Sequence, residues 1–436
     1  MSALQRLASC CALLLGGCSA VLGLDGLAFD RTADSGGAGG SGAAAGSGGE
    51  AGSGAAQGGG GAAQGGGGAA QGGGGAHGGT GGAGGDMLPL VTEGSIFDNT
   101  VSASVDTRFK LVWTENGIWQ LESWFDLGSD PLHDLGADTS LAPFTDLLFI
   151  PAEFTIGANW YDLEGASIVD ASLYEQAEGR MVVHADLSMP GVPSLEIATT
   201  YTAYASGRVG VQVLLHNSGA SPIVFDDFQH GFTTVNANDA WTVTPIGGNA
   251  ALTFERTDAP SGTPALVVIN HGGLGTVGSD ATGNRYFTEG SVTIPAAGEL
   301  ERDVELQVWP SGSQAELQAR IDDARNPELV NVSGGSYPGY RYWDAAYEID
   351  ASSNLVTFAP SAARQRFYPA FYVGNWSSPT WSVWLGAERL CSSADRIGPR
   401  ATAVDFNQYA LMIVFLDVIP TSATLAERTF TVRDTL

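Results

Sequence analysis

The chain has 436 residues, with 47 acidic against 19 basic side chains, a formal charge of −28, 61 Gly, 10 Trp and four Cys. A surface this acidic repels phosphate backbones and anionic lipid headgroups, which excludes nucleic-acid binding as a default and favours a neutral ligand or a cation. Glycine is concentrated in one tract, 28 of the 51 residues from Ser35 to Gly85, which has too little apolar surface to offset its ordering entropy and belongs to no core.

At the amino terminus Arg6 precedes an apolar run from Leu7 to Leu15 that ends in Gly16, Gly17 and Cys18. This is the pattern of an export signal, and the run is too short to span a bilayer. Leu15-Gly16-Gly17-Cys18 resembles the lipobox of bacterial lipoproteins. The resemblance implies that the Cys18 sulfur receives a diacylglyceryl group, that a peptidase cuts just before it, and that the new amino terminus is acylated as well, palmitate being a typical chain. Residues 1–17 are then a signal peptide and residues 18–34 a lipidated segment. Two or three acyl chains, at about 0.8 kcal/mol per buried methylene, make such an anchor effectively permanent. Ser19 stands where inner-membrane retention would place Asp, so the resemblance implies the outer membrane or cell surface. An ordinary secretory signal cut after Ala20, or an uncleaved anchor, remain the alternatives.

Residues 35–85 repeat Ala-Ala-Gln-Gly-Gly-Gly-Gly three times from Ala55 to Gly75. A disordered tether of this composition has a root-mean-square reach of roughly 40 Å. From Asp86 the texture changes to short alternating apolar runs bounded by Gly, Pro, Asn and Asp, which predicts an all-β fold. Strands are expected at Phe109 to Trp113, Leu147 to Ile156, Met181 to Leu187, Glu196 to Tyr204, Val209 to Leu215, Ala265 to Ile269, Leu300 to Trp309, Phe367 to Val373, Trp381 to Leu385 and Tyr409 to Val418. Ser206-Gly207 offers a tight turn between Tyr201 and His216, after which Val209, Val211, Val213 and Leu215 would share the core face. One helix is expected, because Ser313-Gln314-Ala315-Glu316 reads as a capping box and Asn326-Pro327 ends the run. It divides a large β-sandwich, residues 86–325, from a smaller β domain, residues 326–436.

Several motifs invite chemistry. His271-Gly272-Gly273-Leu274-Gly275-Thr276-Val277-Gly278 contains a formal GxGxxG, but turn chemistry from Ser279 to Asn284 follows where a dinucleotide fold needs a helix, so no nucleotide cofactor is expected. Asp126, Asp130, Asp134 and Asp138 recur every four residues around His133, and such oxygens in a Gly-containing loop could wrap calcium, the one cofactor the sequence raises; the alternative is a solvated loop using Asp as a turn former. Trp160-Tyr161-Asp162, between Gly157 and Gly165 and outside the strongest strand runs, is the best surface candidate among the aromatics, since flat rings stack on sugars; most of the other Trp are expected in the core. His230 follows Asp226 and Asp227, acidic neighbours that would raise its pKa, which makes it the acid–base candidate. His184 and His216 lie in strands, where hydrogen-bonded structural histidines are the default. Cys391 has no disulfide partner in the mature chain and is expected to be buried.

Phe109 to Trp113, Asn116-Gly117-Ile118-Trp119 and Asp126 to Pro131 are similar in texture to the start of supersandwich domains in polysaccharide lyases and galactose-mutarotase-like proteins. The resemblance spans Val91 to Trp309 and implies a carbohydrate-related role, with no motif that assigns catalytic residues. No HExxH, GxSxG or CxxC occurs. The residues therefore point first to a membrane-anchored surface module that binds a neutral polysaccharide or a protein partner, second to a carbohydrate-active enzyme of lyase or hydrolase type, and third to a structural coat protein. Mass spectrometry of the mature amino terminus should find a lipidated Cys18; an unmodified terminus at Val21, or a Cys18→Ala chain that still partitions with membranes, would refute the anchor.

Overall fold

The computed structural model describes residues 91–434, except 96–99, 106–108, 115–119, 127–129, 135–146, 177–178, 236–240, 257–264, 273–274, 280–284, 310–312 and 407–408. The signal, the Cys18 lipobox and the tether lie outside the described residues. The fold is nearly all β. A first antiparallel sheet runs in chain order, β1 (Val91–Ser95), β2 (Thr100–Val105), β3 (Phe109–Thr114), β4 (Gln120–Asp126) and β5 (Asp130–Asp134). Asp126, Asp130 and Asp134 thus sit in two paired strands, with Asp126 opposite Asp130, where the sequence suggested one wrapping loop; Asp138 and these side chains lie outside the described set.

The next thirteen strands are β6 (Leu147–Ile156), β7 (Asn159–Asp162), β8 (Ser167–Gln176), β9 (Arg180–Ser188), β10 (Leu195–Tyr204), β11 (Val209–Asn217), β12 (Ile223–Val235), β13 (Trp241–Ile246), β14 (Ala251–Arg256), β15 (Ala265–Asn270), β16 (Thr276–Ser279), β17 (Arg285–Ile294) and β18 (Glu299–Trp309). They form an eight-stranded sheet, ordered β13-β14-β15-β18-β11-β10-β9-β8, and a five-stranded sheet, ordered β16-β17-β12-β6-β7. Their apolar faces meet in one core. Val183, Tyr201, Val211 and Leu306 from the larger sheet pack with Phe154, Phe225, Phe228 and Phe287 from the smaller. The alternation expected along β11 holds, since Val209, Val211, Val213 and Leu215 are all buried, and Gly207 makes its turn at φ +84. Gly275 leads into strand β16 and not a helix, which removes the dinucleotide motif.

Helix α1 (Gln314–Arg325) lays Leu317, Ile321 and Ala324, one helical stripe, on Ala265, Val267 and Ile269 of β15. Ser313 caps it by accepting the Glu316 N–H. The reciprocal half of the expected capping box is missing, because the Glu316 carboxylate turns to Arg320 at 3.0 Å. The remaining strands are β19 (Leu329–Ser333), β20 (Gly335–Arg341), β21 (Ala346–Ala351), β22 (Leu355–Pro360), β23 (Arg366–Phe367), β24 (Ala370–Gly374), β25 (Ser382–Leu385), β26 (Glu388–Ser392), β27 (Ala401–Phe406), β28 (Ala410–Phe415), β29 (Val418–Ile419) and β30 (Phe430–Arg433). The run expected from Phe367 to Val373 is broken at Tyr368, which has φ +52. A second, four-residue helix, α2 (Leu425–Arg428), escaped the sequence reading although Thr424 and Glu427 form a complete capping box.

Two five-stranded sheets result, β19-β22-β30-β25-β26 and β20-β21-β24-β28-β27, with a core of Tyr347, Phe358, Phe371, Trp381 and Phe430 between them and Cys391 buried in it. The inner strands β24 and β28 of the second sheet are buried on both faces. Its alternate residues Ala346, Ala370, Met412 and Val414 belong to the core of the large sandwich, which explains why all six residues of β28 are buried. At this contact Gly210 of β11 faces the 3-10 turn Tyr342–Asp344, and a Cβ there would stand 2.7 Å from the Trp343 carbonyl oxygen. Gly210→Ala should therefore cost about 1–3 kcal/mol of overpacking strain, read as a lower denaturation midpoint with an unchanged slope.

Candidate functional site

The short strand β7 lies at the edge of the five-stranded sheet, joined to β6 by a hairpin at Gly157, φ +62. The Gly157 N–H donates to Asp226 Oδ2 at 2.7 Å and ties the hairpin to β12. Register places Trp160 opposite Thr155 and Thr155 opposite Asp227; two residues along, Asp162 faces Glu153 and Glu153 faces Gln229. Directly paired residues share a face. Trp160, Thr155, Asp227, Asp162 and Gln229 thus share one face with Glu153, which is itself buried, and Thr288 continues the second row beside Gln229. Asp227 accepts from the Gln229 amide at 2.6 Å and the Thr288 hydroxyl at 2.6 Å. Asp162 accepts the Gly165 N–H through Oδ1 at 2.7 Å and caps a 3-10 turn.

Trp160 is 58% exposed. The other tryptophans whose side chains are described are engaged: Trp309, Trp376 and Trp381 are buried, Trp343 lies under Arg341 at 4.3 Å and Trp384 under Arg433 at 4.2 Å. The patch therefore offers one free flat ring beside carboxylate, amide and hydroxyl groups, the chemistry that stacks on and hydrogen-bonds a polyol. Val224, 45% exposed, is on the same face by alternation with buried Ile223 and Phe225. Tyr161 does not belong to the patch. As the neighbour of Trp160 in a strand it points inward, stacked on Phe154 at 5.6 Å.

His230 also points inward. It is 1% exposed, lies between the rings of Phe228 and Phe287, and its Nδ1 is 3.5 Å from Glu289, whose carboxylate is clamped by Arg302. Burial pushes its pKa down to about 4, with the Arg302 charge adding to the shift and Glu289 opposing it. This reverses the expectation of a raised pKa, because Asp226 and Asp227 face away from the ring and burial outweighs the one acid beside it. A ring enclosed between two sheets is not presented to a polymer at the surface.

A second cluster lies where the C-terminal sheets meet the eight-stranded sheet. Arg180 pairs with Asp344 at 2.5 Å, both buried, and the Tyr204 hydroxyl donates to the same aspartate. Alongside, Arg208 grips Glu305 with two N–H donors at 2.6 and 2.9 Å. It also donates to the carbonyls of Phe367 and Tyr368 and to the Tyr340 hydroxyl. Gln307 donates to Glu305 at 2.6 Å, and His271 Nε2 is 3.3 Å from its other oxygen. Burial alone would raise the Glu305 pKa; the Arg208 charge and the hydrogen bonds from His271 and Arg208 outweigh it and hold the carboxyl well below the usual range. Sequence reasoning missed this cluster. Its one visible signal was the charge-bearing strand Glu301-Arg302-Asp303-Val304-Glu305, whose register alone decides which acids are covered.

His184 bonds Thr200 at 2.9 Å and His216 bonds Glu196 at 3.0 Å, both between neighbouring strands, as structural histidines do. Among the described residues no group of His, Cys, Asp or Glu is placed to hold a metal ion, and no helix is long and apolar enough to cross a membrane.

No protein-family model matches the chain, and no curated protein does. Solved structures give a weak structural resemblance to carbohydrate-related proteins. An α-galactosidase from Lactobacillus brevis is 9% identical over 52% of this chain and 42% of its own, with a TM-score of 0.33. A polysaccharide lyase is 9% identical over 81% of this chain and 47% of its own, at 0.35. A galactose 1-epimerase from Lactobacillus acidophilus is 10% identical over 52% of this chain and 100% of its own, at 0.32. The chain thus spans about half the length of the first two, and scores this low carry no weight for function.

The low pKa of His230 has a measurable consequence. The ring is neutral in the folded state down to about pH 4 and becomes charged near pH 6.5 when unfolded. Between these values the unfolded chain binds more protons, so stability is full above pH 6.5 and falls as the pH drops, by up to about 3 kcal/mol. Denaturant titrations of His230→Gln should show this part of the slope removed; an unchanged slope would assign it to other groups.

Proposed function

We propose that the chain is a lipid-anchored surface protein whose β-sandwich unit binds a neutral glycan on the outer face of the five-stranded sheet. The observation that carries this reading is Trp160, the described tryptophan left exposed, set in two rows with Thr155, Asp162, Asp227 and Gln229. An edge strand with its flat ring turned outward gives a chain of sugar rings room to pass without burying the sheet. The formal charge of −28 disfavours polyanions and leaves neutral polymers as the fitting class. The lipobox at Leu15 to Cys18 and the glycine-rich tether support display at a distance from the membrane.

Trp160→Ala should weaken glycan retention by roughly 1–3 kcal/mol, the scale of burying one large side chain. Its melting temperature should stay that of the parent, since the ring is 58% exposed and belongs to no core cluster of the described residues. Retention should be nearly independent of salt, because no counterions are released. A glycan array read with both chains decides the matter; equal retention by the two would remove Trp160 from the site, and retention that collapses with salt would point to a charged ligand.

A further inference from the structure

Charge is spread unevenly along the chain. Residues 86–325 hold 33 acidic and 9 basic side chains, whereas residues 326–436 hold 10 and 8, so the C-terminal unit is close to neutral. Its sheet β19-β22-β30-β25-β26 turns Val356, Phe358, Val383 and Val432 into the core, and the alternate residues face outward. Register sets them in two rows. One contains Leu355, Arg433, Ser382 and Ser392, the other Thr357, Thr431, Trp384 and Arg389, and neither contains a carboxylate. The Trp384 indole N–H donates to Ser382 Oγ at 2.9 Å, which lays the ring along β25. Arg433, opposite Ser382, rests on that ring with Cζ 4.2 Å from its centroid. A guanidinium stacked in this way keeps its in-plane N–H donors for an acceptor. Elsewhere in the unit Arg341, Arg366 and Arg400 each face a carboxylate. Arg389 and Arg433 are exposed and face none among the described residues, in a chain where acids outnumber bases.

Planar donors left unpaired on a carboxylate-free face are matched to carboxylates by charge and by geometry. We propose that this face docks an acidic, extended segment of a partner protein, with Arg433 and Arg389 each clamping one of its carboxylates and an apolar side chain resting on Leu355. Strand spacing puts the two arginines about 12 Å apart, close to the span of residues four apart on an extended chain. A protein fits better than a glycan or a membrane. Arg433 occupies the indole face that a sugar ring would need. Leu355, 54% exposed and opposite Arg433, calls for an apolar contact, and Trp and Arg are the residue types that carry much of the binding energy at protein interfaces. Two arginines are also fewer than the roughly four to eight basic residues that hold a surface to anionic lipid. The acidic large sandwich docks on the far side of the second sheet. That is about 10 Å or more away, beyond a Debye length of about 8 Å at physiological salt, so its charge does not cancel the attraction at the pair. The face does not involve Trp160 and stands apart from the glycan reading.

Fluorescence anisotropy tests this with the full chain and a fluorescein-labelled peptide that carries two glutamates four residues apart and a leucine beside one of them. The peptide should bind, and more weakly as salt rises. Arg433→Gln should lower the affinity about tenfold, and Arg389→Gln combined with it should abolish binding. Leu355→Glu, which sets a carboxylate opposite Arg433, should occupy its donors from within and weaken binding by a similar factor. All three side chains are exposed, so the melting temperatures should equal that of the parent, which separates lost binding from lost folding. Trp160→Ala should bind the peptide as the parent does. No binding by the parent, or equal binding by the double variant, overturns the proposal. Tighter binding of polygalacturonate, or of phosphatidylglycerol vesicles, through the same two arginines would also overturn it, in favour of an anionic glycan or a lipid surface.

Discussion

The ion pair between Arg208 and Glu305 is the contact on which the rest of the assembly depends. Arg208 follows the β10–β11 turn of the large sandwich, yet its fork reaches Glu305 on β18, two backbone carbonyls at Phe367 and Tyr368, and the phenol of Tyr340. One guanidinium thereby ties two strands of the eight-stranded sheet to two segments of the C-terminal unit. Burying two charges is expensive, and the geometry offsets it only because the bidentate pair occupies both carboxylate oxygens and Gln307 adds a further donor. Removing one partner leaves the other as an uncompensated buried charge, which in such pairs costs about 3–5 kcal/mol.

Close apolar packing around the pair completes the contact. Strands β24 and β28 are covered on both faces, and where their sheet meets the large sandwich its residues are small or pliable: Ala346, Ala370 and Met412. Gly210, lacking a Cβ, lets the Trp343 backbone come close. That approach carries Tyr342 onto His271 and brings Asp344 within reach of Arg180 and Tyr204. The grouping of buried charges at the junction is thus a by-product of how the two sandwiches dock, and neither half holds the full set of groups alone.

The Trp160 surface has a different origin. It needs only the local pairing of β7, β6 and β12, and its polar members are arranged by strand register. The Trp160 surface and the buried charge cluster are therefore separable: one sits at an open sheet edge, and the other lies under the docking contact between the two sandwiches. The same period of two that turns Trp160 outward turns Tyr161 onto Phe154, so adjacent residues of one aromatic motif have opposite fates.

The all-β class, most strand positions, the Ser313-capped helix and the buried face of β11 were legible in the sequence, because each depends on short-range periodicity and turn chemistry that neighbouring residues carry themselves. So was the surface candidacy of Trp160, though extending it to Tyr161 overlooked strand alternation. The burial of His230 was not legible, since Asp226 and Asp227 adjoin it in the chain but Phe228, Phe287, Glu289 and Arg302 surround it in space. Nor was the grouping of Arg208, His271, Glu305 and Tyr340, which are separated by up to 132 residues and meet only through cross-strand register and the docking of two sandwiches. Sequence alone determined which segments become strands; tertiary structure decided which charges lose their water, because desolvation depends on what covers a residue and not on what precedes it.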